Sequence, residues 1–159
     1  MTTTTHAETA IAADPALPII RITREFAAPP EAVFRAHTDP DLVVKWMGPR
    51  SITMELDRWD PTTGGAYRFV HRQGDEEYGF YGSFHEVRPS ERIVQTFTFE
   101  GFPDGVCLET LTLEDLGNNR TRLQALSVYE SLEVRDAALS SGMETGVVEG
   151  YEQLDDLLN

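Results

Sequence analysis

The amino-acid sequence predicts an α+β protein: a curved antiparallel sheet of seven strands, with a long C-terminal helix over its concave face. Three observations carry this. Between residues 51 and 130, six segments alternate apolar and polar side chains and are separated by short turns rich in Gly, Pro or Asn, the pattern of a meander of hairpins. From residue 131 to 158 the spacing becomes helical, with Ala138, Met143, Val147, Tyr151, Leu154 and Leu158 at three- to five-residue intervals. Strands followed by a helix bury their apolar faces best by laying the helix across one side of the sheet.

Taken in order, residues 18–26 are rich in β-branched side chains and read as the first strand. Pro29-Pro30-Glu31 opens a short helix, since proline suits a first turn and an acid suits the positive end of the helix dipole. Ala32, Val33, Phe34 and Ala36 give that helix its buried side. Asp39-Pro40 starts a second short helix carrying Leu42, Val43 and Trp46, and Gly48-Pro49 stops it. Strands follow at 51–59, 66–72, 77–87, 92–100, 106–116 and 120–130. Tyr67, Phe69 and His71 share one face of their strand; Tyr78, Phe80, Gly82 and Phe84 share one face of the next. Seven twisted strands can curl around a helix, which leaves a cavity unless side chains fill it.

Gly142, Gly146 and Gly150 stand four residues apart in the helical stretch, on one slowly drifting face. Each costs a helix about 1 kcal/mol relative to alanine. Missing side chains let a helix lie close to the sheet, or widen the space beneath it for a ligand. Pairing of membrane helices through small residues does not fit, because Glu144 and Glu149 interrupt the segment.

The 159 residues, 40% hydrophobic and 25% charged, read as one globular domain over 18–159 behind a flexible tail over 1–17. Thirteen Lys and Arg against 27 Asp and Glu leave a net charge of −14, which argues against nucleic acid as a partner. No run of apolar residues is long enough for membrane insertion. The first residues lack the regions of a signal peptide, so a cytoplasmic location is expected. Cys107 is the only cysteine, which rules out an intramolecular disulfide. His37, His71 and His85 stand in no metal-ligand spacing, and His37 at the end of the first helix suits the negative dipole end as a cation. With no phosphate loop, dinucleotide fingerprint or nucleophile elbow, neither a metal nor a cofactor is expected.

The element order resembles the helix-grip fold of the START-like and polyketide cyclase-like superfamily. Local motifs narrow the resemblance: Pro29-Pro30-Glu31-Ala32-Val33-Phe34, Trp46 followed by Gly48-Pro49, Gly64-Gly65 before Arg68-Phe69, Gly82-x-x-x-Glu86-Val87 with Pro89, Arg92-Ile93-Val94, and Gly142-x-x-x-Gly146. Together they are similar to the activator of heat-shock protein 90 ATPase homologue family, in its bacterial single-domain form, from about residue 19 to 158. One departure is Tyr151, after Gly150, where the family pattern has tryptophan. The resemblance implies a hydrophobic cavity between sheet and C-terminal helix. The co-chaperone behind the family name carries a second domain for which this sequence has no room, so a chaperone partner is not expected.

Three classes of function follow. The first is binding of a small hydrophobic or aromatic molecule, such as a lipid, polyketide or phenol, in a cavity lined by Trp46, Tyr67, Phe69, His71, Phe80, Phe97, Tyr129, Met143, Val147 and Tyr151. Trp46 and Met143 would form apolar walls, while tyrosines and His71 would orient the ligand. The second is a cyclase-, aromatase- or hydrolase-like enzyme using the same cavity, with His71 or a tyrosine as acid–base group. No catalytic residue is assigned, and ligand binding is preferred over catalysis. The third is an interaction module, binding a chaperone or forming a homodimer through an apolar patch.

Overall fold

The computed structural model describes residues 2–6 and 9–159. One antiparallel sheet contains β1 (Thr2–His6), β2 (Thr9–Ala13), β3 (Ile19–Phe26), β4 (Thr53–Trp59), β5 (Ala66–Gln73), β6 (Glu76–Arg88), β7 (Arg92–Phe99), β8 (Cys107–Gly117) and β9 (Arg120–Val128), in the order β1-β2-β3-β9-β8-β7-β6-β5-β4. Helices α1 (Pro30–Thr38) and α2 (Pro40–Val43) lie between β3 and β4, and α3 (Leu132–Ser140) and α4 (Met143–Leu158) follow β9. Strands from β4 to β9 pair as consecutive hairpins, while β3 pairs with β9. The chain therefore crosses from one end of the sheet to the far edge through α1 and α2.

All seven expected strands are present, and the sheet gains two more from the N-terminus. Residues 9–13, expected within a flexible tail, pair with β3 from Ile20 to Arg24. Thr9 and Ile11 are buried there, so a Thr- and Ala-rich stretch with one large apolar side chain is enough to extend the edge. Residues 1, 7 and 8 of that expected tail lie outside the described residues.

The expected single terminal helix is two. Ser131 caps α3 by accepting from the Val134 amide at 3.1 Å. Gly142 then adopts φ +89°, a left-handed conformation that breaks the helix before α4. Arg135 of α3 is buried and donates to the carbonyls of Asp14 and Leu17, tethering the helix to the chain entering β3.

The core forms in two parts. Phe26, Val33, Ala36, Trp46, Leu123, Tyr151 and Leu154 pack with Ile11, Ile20 and Ile22 under α4. Tyr67, Phe69, Phe84 and Ile93 pack at the other end of the sheet with Trp59, Phe80 and Phe97. Two indoles pin the end of α1: Trp46 Nε1 donates to Ala36 O at 2.8 Å and Trp59 Nε1 to Thr38 O at 2.7 Å. They supply partners to carbonyls that a helix end leaves open.

Helix α4 docks through its backbone. A Cβ at Gly150 would lie 3.1 Å from Trp46 O and 3.3 Å from Gly48 N, so the helix rests directly on the turn at 46–50. Gln153 Nε2 donates to Gly48 O at 3.0 Å and Trp46 O at 3.3 Å, and the Arg50 amide donates to Glu149 Oε1 at 2.9 Å. Tyr151 stacks on Trp46 with ring centroids 6.0 Å apart and meets the Phe26 ring at 5.4 Å. At the far end, the Asp155 carboxylate accepts from buried Arg24 at 2.5 and 3.1 Å. Arg24 also donates to Thr9 Oγ1 and sits 4.8 Å over the Phe26 ring, so one guanidinium joins β2, β3 and α4.

The three glycines of the stripe thus have different roles, and substitution separates them. Gly142→Ala lowers stability by about 1 kcal/mol, because an L side chain resists the left-handed region. At Gly146 a Cβ meets only Pro49 Cδ at 3.6 Å, so Gly146→Ala is neutral or stabilising by up to about 1 kcal/mol through helix propensity. Gly150→Val, whose branched side chain meets the Trp46 carbonyl, lowers stability most. Urea unfolding midpoints at constant m-value check the ranking; equal effects at Gly142 and Gly146 contradict it.

Candidate functional site

A cavity of about 210 Å³ lies between α4 and the sheet. Its ceiling is Gly146, Val147, Gly150 and Tyr151 of α4, with His37 from the end of α1 and Trp46 and Met47 from the turn after α2. Its floor comes from the inward faces of four strands: Phe69 of β5; Ile93, Gln95 and Phe97 of β7; Glu109 and Leu111 of β8, beside Thr110; and Ala125 of β9. The wall is mostly apolar and aromatic; His37, Gln95 and Glu109 reach it as polar side chains, with the hydroxyls of Tyr151 and Thr110.

Glu109 follows from strand phase. It pairs with Gln95 on one side and Ser127 on the other, on the same inward phase as Cys107 and Leu111. Its side chain keeps some exposed surface, which faces the cavity, while the protein around it shuts out bulk water. Burial pushes its carboxyl up from 4.5 to about 7, against a hydrogen bond from Ser127 that favours the ionised form. Gln95 Nε2 donates to Tyr67 Oη at 3.2 Å and lies 3.4 Å from Glu109 Oε1. Tyr67 spends its own proton on Thr96 O at 2.6 Å, so its oxygen must accept from Gln95. That fixes the amide orientation and leaves Gln95 Oε1 without a hydrogen bond among the described residues.

His37 is held in one tautomer. Nδ1 lies 2.8 Å from Val33 O and so carries the proton, which leaves Nε2 as an acceptor. Burial lowers the imidazole to about 4, opposed by that backbone bond. The expectation of a cationic dipole partner is therefore corrected: the ring is neutral at pH 7, packed 4.7 Å from the Trp46 ring.

Of the ten residues expected to line the cavity, Trp46, Phe69, Phe97, Val147 and Tyr151 form its wall. Five stand elsewhere. His71 lies under the turn, its Cε1 2.9 Å from where a Gly48 Cβ would be, with Phe69 and Phe80 each 5.0 Å away. Burial lowers it to about 4, and its Nε2 is buried without a partner. Tyr67 stands behind Gln95, and Phe80 behind Phe69 and Phe97 at 5.2 and 5.4 Å. Tyr129 and Met143 pack against the core under α4. Inward alternation alone places all such side chains on the correct face, but α4 covers only part of that face.

Cys107 is buried, its thiol pushed up to about 12 by burial and by the nearby Glu109 carboxylate, so it is no nucleophile at neutral pH. Among the described residues, no group of three or more His, Cys, Asp or Glu is placed to hold a metal ion, and no helix is long and apolar enough to cross a membrane. A wider, open groove of about 590 Å³ runs between Phe34, Thr38 and Asp39 on one side and Pro61, Thr63 and Val87 on the other. Its Asp39 carboxylate is already engaged in capping α2 at the Asp41 amide.

Residues 27–159 match the family described as Activator of Hsp90 ATPase homolog 1-like protein. Among solved structures, a Rhodobacter sphaeroides protein is 30% identical with a TM-score of 0.86, covering 95% of this chain and 98% of its own. A Chromobacterium violaceum protein is 29% identical with a TM-score of 0.77, over 88% of this chain and 96% of its own. An Arthrobacter aurescens protein is 27% identical with a TM-score of 0.85, over 93% and 90%. No curated protein matches the chain.

The buried carboxyl links stability to pH. Between 4.5 and about 7 the folded protein holds a proton at Glu109 that the unfolded chain has released. Its contribution is full below 4.5 and is lost as pH rises through 7, amounting to roughly 3 kcal/mol. His37 and His71 act in the opposite sense, adding stability as pH rises from about 4 toward 6.5. The comparison with Glu109→Gln isolates the carboxyl. The variant gains on the natural protein by roughly 2–3 kcal/mol between pH 5 and pH 8 in urea unfolding, and a constant difference contradicts the assignment.

Proposed function

We propose that this protein, which belongs to the Activator of Hsp90 ATPase homolog 1-like family, binds a small, largely apolar molecule in the cavity between α4 and the sheet. The observation that carries the reading is an aromatic-walled cavity on which Gln95, Glu109 and His37 converge. Such a combination of apolar walls and few placed polar groups is what small-molecule sites share.

The volume narrows the class of ligand. A dry cavity of about 150 Å³ accepts benzene. A cavity of about 210 Å³ suits one ring with a short substituent, and is small for an acyl chain or a fused polyketide. Trp46 and Tyr151 on one side and Phe69 and Phe97 on the other supply flat surfaces for a ring. An enzyme reading built on His71 loses its acid–base group, which lies outside the wall. A buried, reduced Cys107 is compatible with the cytoplasm.

Single-ring probes such as phenol and toluene are expected to raise the melting temperature and to perturb NMR signals of Val147, Ala125 and Phe97. Val147→Phe fills the space from the helix side, and is expected to abolish binding while unfolding remains cooperative. Unchanged probe binding in that variant would place the site elsewhere and overturn the proposal.

A further inference from the structure

We infer that the ligand is a lipophilic amine, bound as its ammonium ion with Glu109 as counter-ion. The inference rests on the cavity reading above and concerns which polar chemistry the cavity accepts. Val33 O takes the proton-bearing nitrogen of His37, so the ring offers the cavity a lone pair at Nε2. The Tyr67–Thr96 bond turns the Gln95 amide so that Nε2 is spent within the protein and Oε1 is left over. Glu109 supplies carboxylate oxygens. Three groups on three different elements therefore accept, against the hydroxyls of Tyr151 and Thr110 as donors, so acceptors outnumber donors at the wall and a ligand that brings hydrogens is favoured.

An ammonium brings three and no acceptor. Charge points the same way. No Lys or Arg lines the cavity among the described residues, and the nearby Arg24 is bound to Asp155. A carboxylate or phosphate ligand would meet the Glu109 carboxyl with no cation to balance it, which opposes fatty acids and acyl phosphates. A cation seated beside Glu109 holds that carboxyl ionised and removes the cost of an unpaired buried charge. The faces of Trp46, Tyr151 and Phe97 add attraction for a cation that neutral ligands do not receive. The net charge of −14 draws cations to the protein.

An isosteric series tests this: 2-phenylethylamine, 2-phenylethanol and phenylacetate, titrated at pH 7.5 by calorimetry and by NMR. The amine is expected to bind at least about tenfold more tightly than the alcohol, with phenylacetate weakest. Glu109→Gln keeps shape and removes charge; it is expected to cost the amine at least about tenfold more than it costs the alcohol. Retained alcohol binding shows that the variant cavity is intact. An alcohol that binds as tightly as the amine, or an amine indifferent to Glu109→Gln, overturns the inference and leaves the cavity reading standing. Failure of all three probes overturns the inference, and failure of phenol and toluene as well overturns the cavity reading.

Discussion

The architecture depends on how near α4 comes to the turn at 46–50. At Gly150 the two backbones meet with no side chain between them, and the Gln153 amide bonds to two carbonyls of the turn. That contact sets the height of the helix above the sheet at one point. One turn earlier, Gly146 meets only the edge of Pro49, and the helix stands clear of the strands. The cavity is the space between these two conditions. The Arg24–Asp155 ion pair closes the other end of α4 onto β2 and β3, so the helix is held at both sides of the opening rather than across it. Asp155 is half-buried and Arg24 fully so; removing Asp155 leaves the guanidinium buried without that partner, which costs more than an exposed pair such as Arg72–Glu55 contributes.

A carboxyl in such a space is costly to keep. Packing that turns an acid inward among Leu111, Ala125 and Phe97 must raise its pKa or give it a partner, and Ser127 and Gln95 only partly solvate it. Leucine at this position would suit the apolar neighbours better. A group that reduces stability at neutral pH, at the wall of a cavity, is where structure and function make opposing demands.

Much of this was legible in the order of residues. Period-two alternation locates seven strands, and the motifs around Trp46, Gly64-Gly65 and Gly142 point to the family whose description matches residues 27–159. The N-terminal strand escaped because Thr9, Ala10 and Ala12 carry little hydrophobic signal, and only Ile11 marks the buried phase. The break at Gly142 escaped because helical spacing continues across it. The cavity's polar chemistry was present as pattern: Gln95 and Glu109 occupy inward phases of their strands, where a polar residue is conspicuous. His71 occupied an equally conspicuous phase and turned out to pack beneath Gly48. Alternation identifies a face; which part of that face remains open depends on where a helix forty or more residues later comes down.

The contact between a bound ammonium and the Glu109 carboxylate can be seen directly. A crystal structure of the protein grown with 2-phenylethylamine is expected to show the ring between Trp46, Phe97 and Val147 and the ammonium within hydrogen-bond distance of the Glu109 carboxylate. Density for the amine in the outer groove beside Phe34 and Val87, or an ammonium turned away from Glu109, would contradict the account.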